Sequence, residues 1–374
     1  MEYTQAWLLL IHTKGLGSKR ISDLLNHFKS VETIFSQNSY PPELKLPQKV
    51  QELLKKPNHV GIEQDLAWLE KPNNSIITID NDLYPPLLKQ TDTPPPLLYV
   101  TGDPNILLQP QLAVVGSRNA SPMGLKNTHS FCYDMAKRGL TITSGMALGV
   151  DGKAHQAALD ADGKTIAVMG TGLDVVYPAK HKNLAHAIAE NGVLISEFPV
   201  GTKPNAHNFP RRNRIICGLS LGTLVIEAGV QSGTLITARQ TMEINRPVMA
   251  IPGSIHSPLA KGCHLLIKQG AKLVESAEEI FEELTPLAQS LSLKIQEKLS
   301  SLENKTVQTQ NKSYIKGDEN EHDLLLNCIM YDSTSIDEII SKSGLTTQEV
   351  ASTLLILELE DKIQALPGAQ YIRI

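Results

Sequence analysis

The chain has 374 residues, 41% of them hydrophobic, with 25 glycines, few aromatics and a formal net charge of −4. That length holds two or three domains and a sizeable core. No apolar run approaches the roughly 20 residues that cross a bilayer, and the start, MEYTQAWLLLIHTKG, lacks a basic leader, so a cytoplasmic protein without a membrane partner is expected.

Cys132, Cys217, Cys263 and Cys328 lie far apart, with no paired spacing for zinc or a redox loop, and read as small buried residues in a reducing compartment. The charge is uneven. Residues 319–374 carry ten acids against three bases, a net −7, which leaves the rest of the chain at +3. A polyanion is therefore expected on a local patch in the middle of the chain, not over the whole surface.

Residues 1–72 read as a small helical domain. Lys14-Gly15-Leu16-Gly17-Ser18-Lys19-Arg20 leads into ISDLLNHF, a Gly-x-Gly turn between short helices that resembles a helix-hairpin-helix (or SAM-like) unit. Such a turn can offer backbone N–H groups to a DNA phosphate, but any tight turn between helices uses glycine, and simple packing or a partner surface is the favoured reading. Residues 73–108 form a proline-rich connector, Tyr84-Pro85-Pro86 and Pro94-Pro95-Pro96, flanked by strand-like Ile76–Ile79 and Leu97–Val100. Proline excludes regular interior helix, so the connector is expected to lie extended along the next domain.

Residues 109–285 alternate strand and helix. The expected strands are Leu112–Val115, Leu140–Thr143, Thr165–Met169, Val193–Ser196, Thr223–Ile226, Val248–Ile251 and Lys272–Val274. Ser121-Pro122 and Asp151 stand where helix N-caps belong. Short apolar strands separated by helices indicate an α/β, extended Rossmann-like fold: a mostly parallel sheet with helices on both faces. Ligands in such sheets sit beyond the carboxyl ends of the strands, which here are small or glycine-rich: Gly116-Ser117-Arg118, Ser144-Gly145, Gly170-Thr171-Gly172, Glu197, Glu227-Ala228-Gly229 and Pro252-Gly253.

The densest stretch is NFPRRNRIICGLSLGTLVIEAGVQSGTLITAR, residues 208–239. Arg211, Arg212 and Arg214 precede a buried strand, and Ser232-Gly233-Thr234 opens a helix beyond it, with no acid between Glu197 and Glu227. Free amides and the positive end of a helix dipole make an anion site of such a turn. Arg118, Lys180 or Lys182, Arg211, Arg212 and Arg214 can line a groove over these turns, with Phe209 and Tyr177 available to stack on unpaired bases. The competing reading of the arginines is a solvated helix face. Residues 113–124, AVVGSRNASPMG, lack the central glycine of a dinucleotide fingerprint; no Walker lysine, nucleophile elbow or metal cluster appears, so no cofactor and no metal are expected. His155, His181 and His207 read as hydrogen-bonded side chains outside catalysis. What remains is phosphate binding without a leaving group, suited to single-stranded DNA.

GSRNASPMG (116–124), SGMALGVDGKAH (144–155), GTGLDVVYPAKHKNL (170–184), SEFPVGTKPNAHNFPRRNRIICGLS (196–220), EAGVQSGTLITAR (227–239) and IPGSIHSP with KGCHLLIKQGA (251–271) resemble the DNA-processing protein A family (DprA, also called Smf). The resemblance implies a non-enzymatic homodimer that binds single-stranded DNA entering during natural transformation, protects it, and loads the RecA recombinase past single-strand-binding protein. It carries over Arg118, Lys180 or Lys182, Arg211, Arg212, Asn213 and Lys261 as DNA contacts, and Ser144-Gly145 and Ser232-Gly233 as phosphate turns. His264 stands where many members have asparagine.

Residues 286–318 read as a linker, helical at first and then loose. Residues 319–374 read as helices 322–331, 335–342 and 347–360 followed by a hairpin around Pro367-Gly368, a winged-helix-like domain. Its third helix carries Glu349, Glu358 and Glu360, so a protein contact or self-regulation is expected there instead of a grip on duplex DNA. A second reading of the chain is enzymatic. LGTLVIE (221–227) resembles an element of the nucleoside-monophosphate phosphoribohydrolase (lysine decarboxylase-like) family, with Glu227 as the acid; Cys217-Gly218-Leu219-Ser220 stands where that family has two glycines.

Overall fold

The computed structural model describes residues 2–289 and, toward the C-terminus, residues 325–326, 328–329, 334–343, 350, 354, 357, 362–366 and 370–373. The chain divides into two compact units, 1–295 and 296–374.

The first unit opens with five helices: α1 (Tyr3–His12), α2 (Ser18–Phe28), α3 (Val31–Phe35), α4 (Gln48–Lys55) and α5 (Glu63–Leu69). The remaining elements are β1 (Asn74–Thr78), α6 (Pro86–Lys89), β2 (Leu97–Gly102), β3 (Gln111–Val115), α7 (Pro122–Lys137), β4 (Thr141–Ser144), α8 (Val150–Asp160), β5 (Thr165–Val168), α9 (Lys182–Asn191), β6 (Val193–Ser196), α10 (Asn208–Leu219), β7 (Gly222–Val225), α11 (Thr234–Glu243), β8 (Val248–Ala250), α12 (Lys261–Lys268) and β9 (Lys272–Leu273). Residues 277–289 are helical as well. The seven strands expected in 109–285 are all present, each end within one residue.

Among the described residues these strands form one nine-stranded sheet in the order β1-β2-β6-β5-β4-β3-β7-β8-β9. All pairs from β6 to β9 are parallel, and β1 and β2 add an antiparallel edge. Side chains alternate between the faces of a strand, and the cores follow that period. Ala113, Val115, Val225, Val248 and Ala250 meet Ile215 and Ile216 of α10 and Leu235 and Ala238 of α11. Leu112, Val114, Leu224 and Met249 meet Cys132 and Met135 of α7, Ala154 and Ala157 of α8, and Ile280 and Leu284. All five residues of β3 are buried. Each large side chain so buried contributes about 1.5–3 kcal/mol, which is why a strand covered on both sides reads as an unbroken apolar run.

The N-terminal helices enclose a core of their own, with Trp7, Leu10, Ile34 and Leu54, and close it on Leu97 and Tyr99 of β2. Trp68 meets Tyr99 edge-on at 5.8 Å. The proline-rich connector supplies β1 and β2 to the sheet, and against expectation it holds a short α-helix and a 3-10 turn, Pro104–Leu108. Pro86 sits at the first position of α6, where a missing N–H costs no intrahelical bond. Two caps also differ in outcome. Ser121 caps α7 as expected, accepting the N–H of Gly124 at 3.0 Å. Asp151 does not cap α8: Gly149 does, at φ +79°, and Asp151 lies in the first turn.

The second unit contributes β10 (Thr334–Ser335), α13 (Ile336–Ser343), β11 (Ile363–Leu366) and β12 (Gln370–Arg373). The strands pair antiparallel in the order β10-β12-β11, over a core with Leu325, Ile329, Ile339, Leu354 and Ile363. Residues 290–318 of the expected linker and most of helices 322–331 and 347–360 lie outside the described residues.

A Cβ on Gly149 would lie 2.3 Å from the Ser117 carbonyl oxygen, and the backbone there is left-handed. Gly149→Ala is therefore expected to lower stability by about 2–3 kcal/mol, read as a shifted midpoint in urea denaturation.

Candidate nucleic-acid interface

β3 leads to α7 on one face of the sheet, while its neighbour β7 leads to α11 on the other. Strands whose connections part in this way leave a crevice at their carboxyl ends. A cleft of about 720 Å³ opens there, lined by Gly116, Ser117 and Arg118 after β3, by Ser232, Gly233 and Thr234 at the start of α11, and by Phe209, Arg212 and Asn213 of α10. Thr234 Oγ1 donates to the Gly116 carbonyl at 3.0 Å and ties the two loops together. No atom lies within 4 Å of where a Cβ on Gly233 would stand, so that turn presents bare backbone to the cleft.

One wall is aromatic and cationic. Arg118 stands over the Phe209 ring at 5.9 Å, and Phe209 lies 5.6 Å from Tyr177 at a 37° tilt. Tyr177 is exposed. A guanidinium beside two accessible rings suits both phosphate contact and base stacking.

The three clustered arginines part company, contrary to the expectation that all would face the groove. Successive residues of a helix point about 100° apart, so Arg211 and Arg214 share one side of α10 and Arg212 takes another. Arg211 and Arg214 both donate to Glu197 Oε2, a carboxylate only 2% exposed. Arg214 donates also to the Thr93 carbonyl. Arg211 keeps half its surface in solvent and stands over Phe198. Arg212 lines the cleft but is 4% exposed. It donates to the carbonyls of Gly145 and Val168 and to Asn213 Oδ1. Burial pushes its pKa down to about 10, opposed by the charge of Asp151, so it stays cationic at neutral pH.

The turn after β4 is also spent internally. Ser144 is buried and donates to the Val114 carbonyl at 2.6 Å. The Ala147 amide donates to Asp151 Oδ2 at 3.2 Å, and the Gly145 amide lies against the same carboxylate. That carboxyl is held above its usual range by burial, against the pull of Arg212 and of the two amides. Lys180 and Lys182 are exposed, and neither they nor Lys261, exposed at the start of α12, are among the cleft-lining residues. Asp151 and Asn119 line the cleft and are not among the expected contacts; a polar residue just past a glycine-rich strand end is the available signal for both. Glu227 turns away. Its two oxygens accept the Ser121 N–H at 2.8 Å and the Ser121 hydroxyl at 2.6 Å, locking the end of β7 to the start of α7. His155 is buried, Nδ1 paired with Thr165.

Fold and cleft together define a Rossmann-like protein whose binding crevice lies at the switch point of a doubly wound sheet. Residues 75–285 match the DNA recombination-mediator protein A family, and residues 313–369 match the DprA winged helix domain. The chain belongs to the DNA recombination-mediator protein A (DprA/Smf) family. It is 42% identical over 331 residues to Protein Smf of Escherichia coli (strain K12), covering 84% of this chain and 81% of that one. It is 45% identical over 212 residues to DNA processing protein DprA of Streptococcus pneumoniae, covering 57% and 74%. The X-ray structure of DprA from Streptococcus pneumoniae aligns over 76% of this chain and 99% of that one, with 36% identity and a TM-score of 0.67. A Helicobacter pylori DprA structure, described for its single-stranded DNA binding mode, aligns over 57% and 96% with 28% identity and a TM-score of 0.52. No helix among the described residues is long and apolar enough to cross a membrane.

Burial lowers the pKa of His155 from 6.5 to about 3. The unfolded ring takes up a proton as pH falls through 6.5, whereas the folded ring does so only near 3. Stability is therefore expected to fall across that window by up to about 1.4 kcal/mol per pH unit from this residue. The slope should be shallower in His155→Gln when both are unfolded in urea at pH 4, 5, 6 and 7.

Proposed function

We propose that the cleft binds the backbone of single-stranded DNA without changing a covalent bond, and that the protein shields the strand and passes it to a RecA-type recombinase past single-strand-binding protein. The observation that carries this is the wall of Arg118, Phe209 and Tyr177 facing the bare Gly233 corner at the start of α11 across one cleft. The Gly233 corner and Arg118 take phosphates, the rings take unpaired bases, and a duplex with its bases stacked inside offers the rings nothing. The strand then leaves the cleft past the exposed Lys180 and Lys182. A homodimer, which the family resemblance implies, lets two clefts hold one strand. The single-stranded DNA binding mode described for the Helicobacter pylori protein supports the same reading.

The phosphoribohydrolase reading needs Glu227 as a free acid. Both of its oxygens are engaged by Ser121, and it is not among the cleft-lining residues. Free adenine released from AMP in steady turnover, and lost in Glu227→Gln, would restore that reading; no release is expected.

Binding is read by fluorescence anisotropy with single- and double-stranded oligonucleotides. Arg118→Glu is expected to weaken single-strand affinity at least ~10-fold with an unchanged melting temperature. Phe209→Ala should cost ~5- to 100-fold, the worth of one stacked base. With about four phosphates neutralised at roughly 0.7 counterions each, a fourfold rise in salt should weaken binding ~50-fold. Unchanged affinity in Arg118→Glu, or equal affinity for duplex, overturns the assignment of the cleft. For the hand-over, the protein should shorten the lag of recombinase ATPase on strands coated with single-strand-binding protein; an unaltered lag rejects that step.

A further inference from the structure

Among the described residues lining the cleft, the charged ones are Arg118, Asp151 and Arg212. Arg212 is buried and largely tied up, its Nη1 donating to the Gly145 and Val168 carbonyls and its Nε to Asn213. What stands against Arg118 is thus a carboxylate on the floor of a crevice whose other lining groups are amides, rings and small side chains. The Asp151 carboxylate fills the anion hole that the turn after β4 would otherwise offer, taking the Ala147 amide and lying against that of Gly145. The groups facing it are Arg212 from α10, Arg118 from the loop after β3, and those two amides. His155 follows one turn later on its own helix, and the ring of His181 lies against Gly152. An asparagine would still accept an amide there, so hydrogen bonding alone does not demand a charge.

We infer that Asp151 is a built-in counter-charge that sets the affinity of the cleft: it repels the phosphate held by Arg118 and keeps the bound strand exchangeable. The inference rests on the single-strand reading of the cleft. A cradle of amides and guanidinium groups with no opposing charge grips a polyanion and is slow to release it. One carboxylate beneath the strand shortens the residence time without touching the groups that define the path. Burial already favours the protonated carboxyl, and a phosphate arriving above it does so further. The brake therefore eases as pH falls.

The test compares wild-type protein with Asp151→Asn for single-stranded oligonucleotide affinity at pH 4.5, 6.0 and 7.5, with thermal melts of both. At an effective dielectric of 20–40 and a separation of about 8 Å, loss of the charge is worth on the order of 10-fold. Asp151→Asn is expected to bind ~10-fold tighter at pH 7.5, chiefly through slower dissociation, with the gap narrowing toward the acid end, since burial raises the Asp151 carboxyl above its usual range. The same comparison in a His181→Asn background removes the imidazole that lies against Gly152, and the narrowing should survive. A folded Asp151→Asn that binds equally or more weakly at pH 7.5 overturns the inference. Should that variant not fold, Asp151→Ser gives the same comparison: tighter binding supports the counter-charge, and unchanged or weaker binding overturns it. Wild-type protein that binds no single strand at all refutes the reading of the cleft itself, an outcome distinct from binding that Asp151→Asn fails to tighten.

Discussion

Between β3 and β7 the chain departs to opposite faces of the sheet, and neither connection covers the gap between the two strand ends. Everything at the cleft follows from that parting. The loop after β3 carries Arg118 to one lip, and the turn before α11 brings the bare backbone of Gly233 to the other. Glu227 and Thr234 stitch the lips to each other, the first through Ser121 and the second through the Gly116 carbonyl. These bonds fix how far the crevice can open, because each joins the end of one strand to the loop of its neighbour.

The layout of the sheet is readable from the amino-acid sequence because strands buried on both faces have no polar side to blur them. Thr223 to Ile226 and Val193 to Ser196 announce themselves by composition alone. The small-residue corners at one rim are readable for the same reason, as are Ser121 as a cap and Phe209 as a ring near those corners. The fate of charges is not. Arg211 and Arg214 meet Glu197, 14 and 17 residues upstream, and that meeting depends on how α10 settles against the end of β6. Three arginines in four residues look alike on paper, and helical rotation separates them. Asp151 looks like a cap because it precedes a helix; the conformation of Gly149 places the true cap two residues earlier.

The arginines illustrate how positive charge beside a cleft can be spent inside the protein. Arg212 holds the Gly145 and Val168 carbonyls, so two strand ends are fastened at the cleft by a single buried guanidinium. Arg214 fastens the connector to β6 through Thr93 and Glu197. Positive charge near the crevice thus serves mostly as internal bonding, leaving Arg118 to face outward. A guanidinium suits this work, since its five donors are fixed in a plane and it stays charged when desolvated.

The antiparallel pairing of β2 with β6 has a consequence for the molecule as a whole. β6 is apolar and buried along its full length, and without Tyr99 to Gly102 beside it it would offer a row of unmatched peptide groups to any extended chain nearby. The first hundred residues are in that sense a guard for the sheet's vulnerable margin. At the far margin, β9 is two residues long and begins with Lys272, which leaves little there for another chain to pair with.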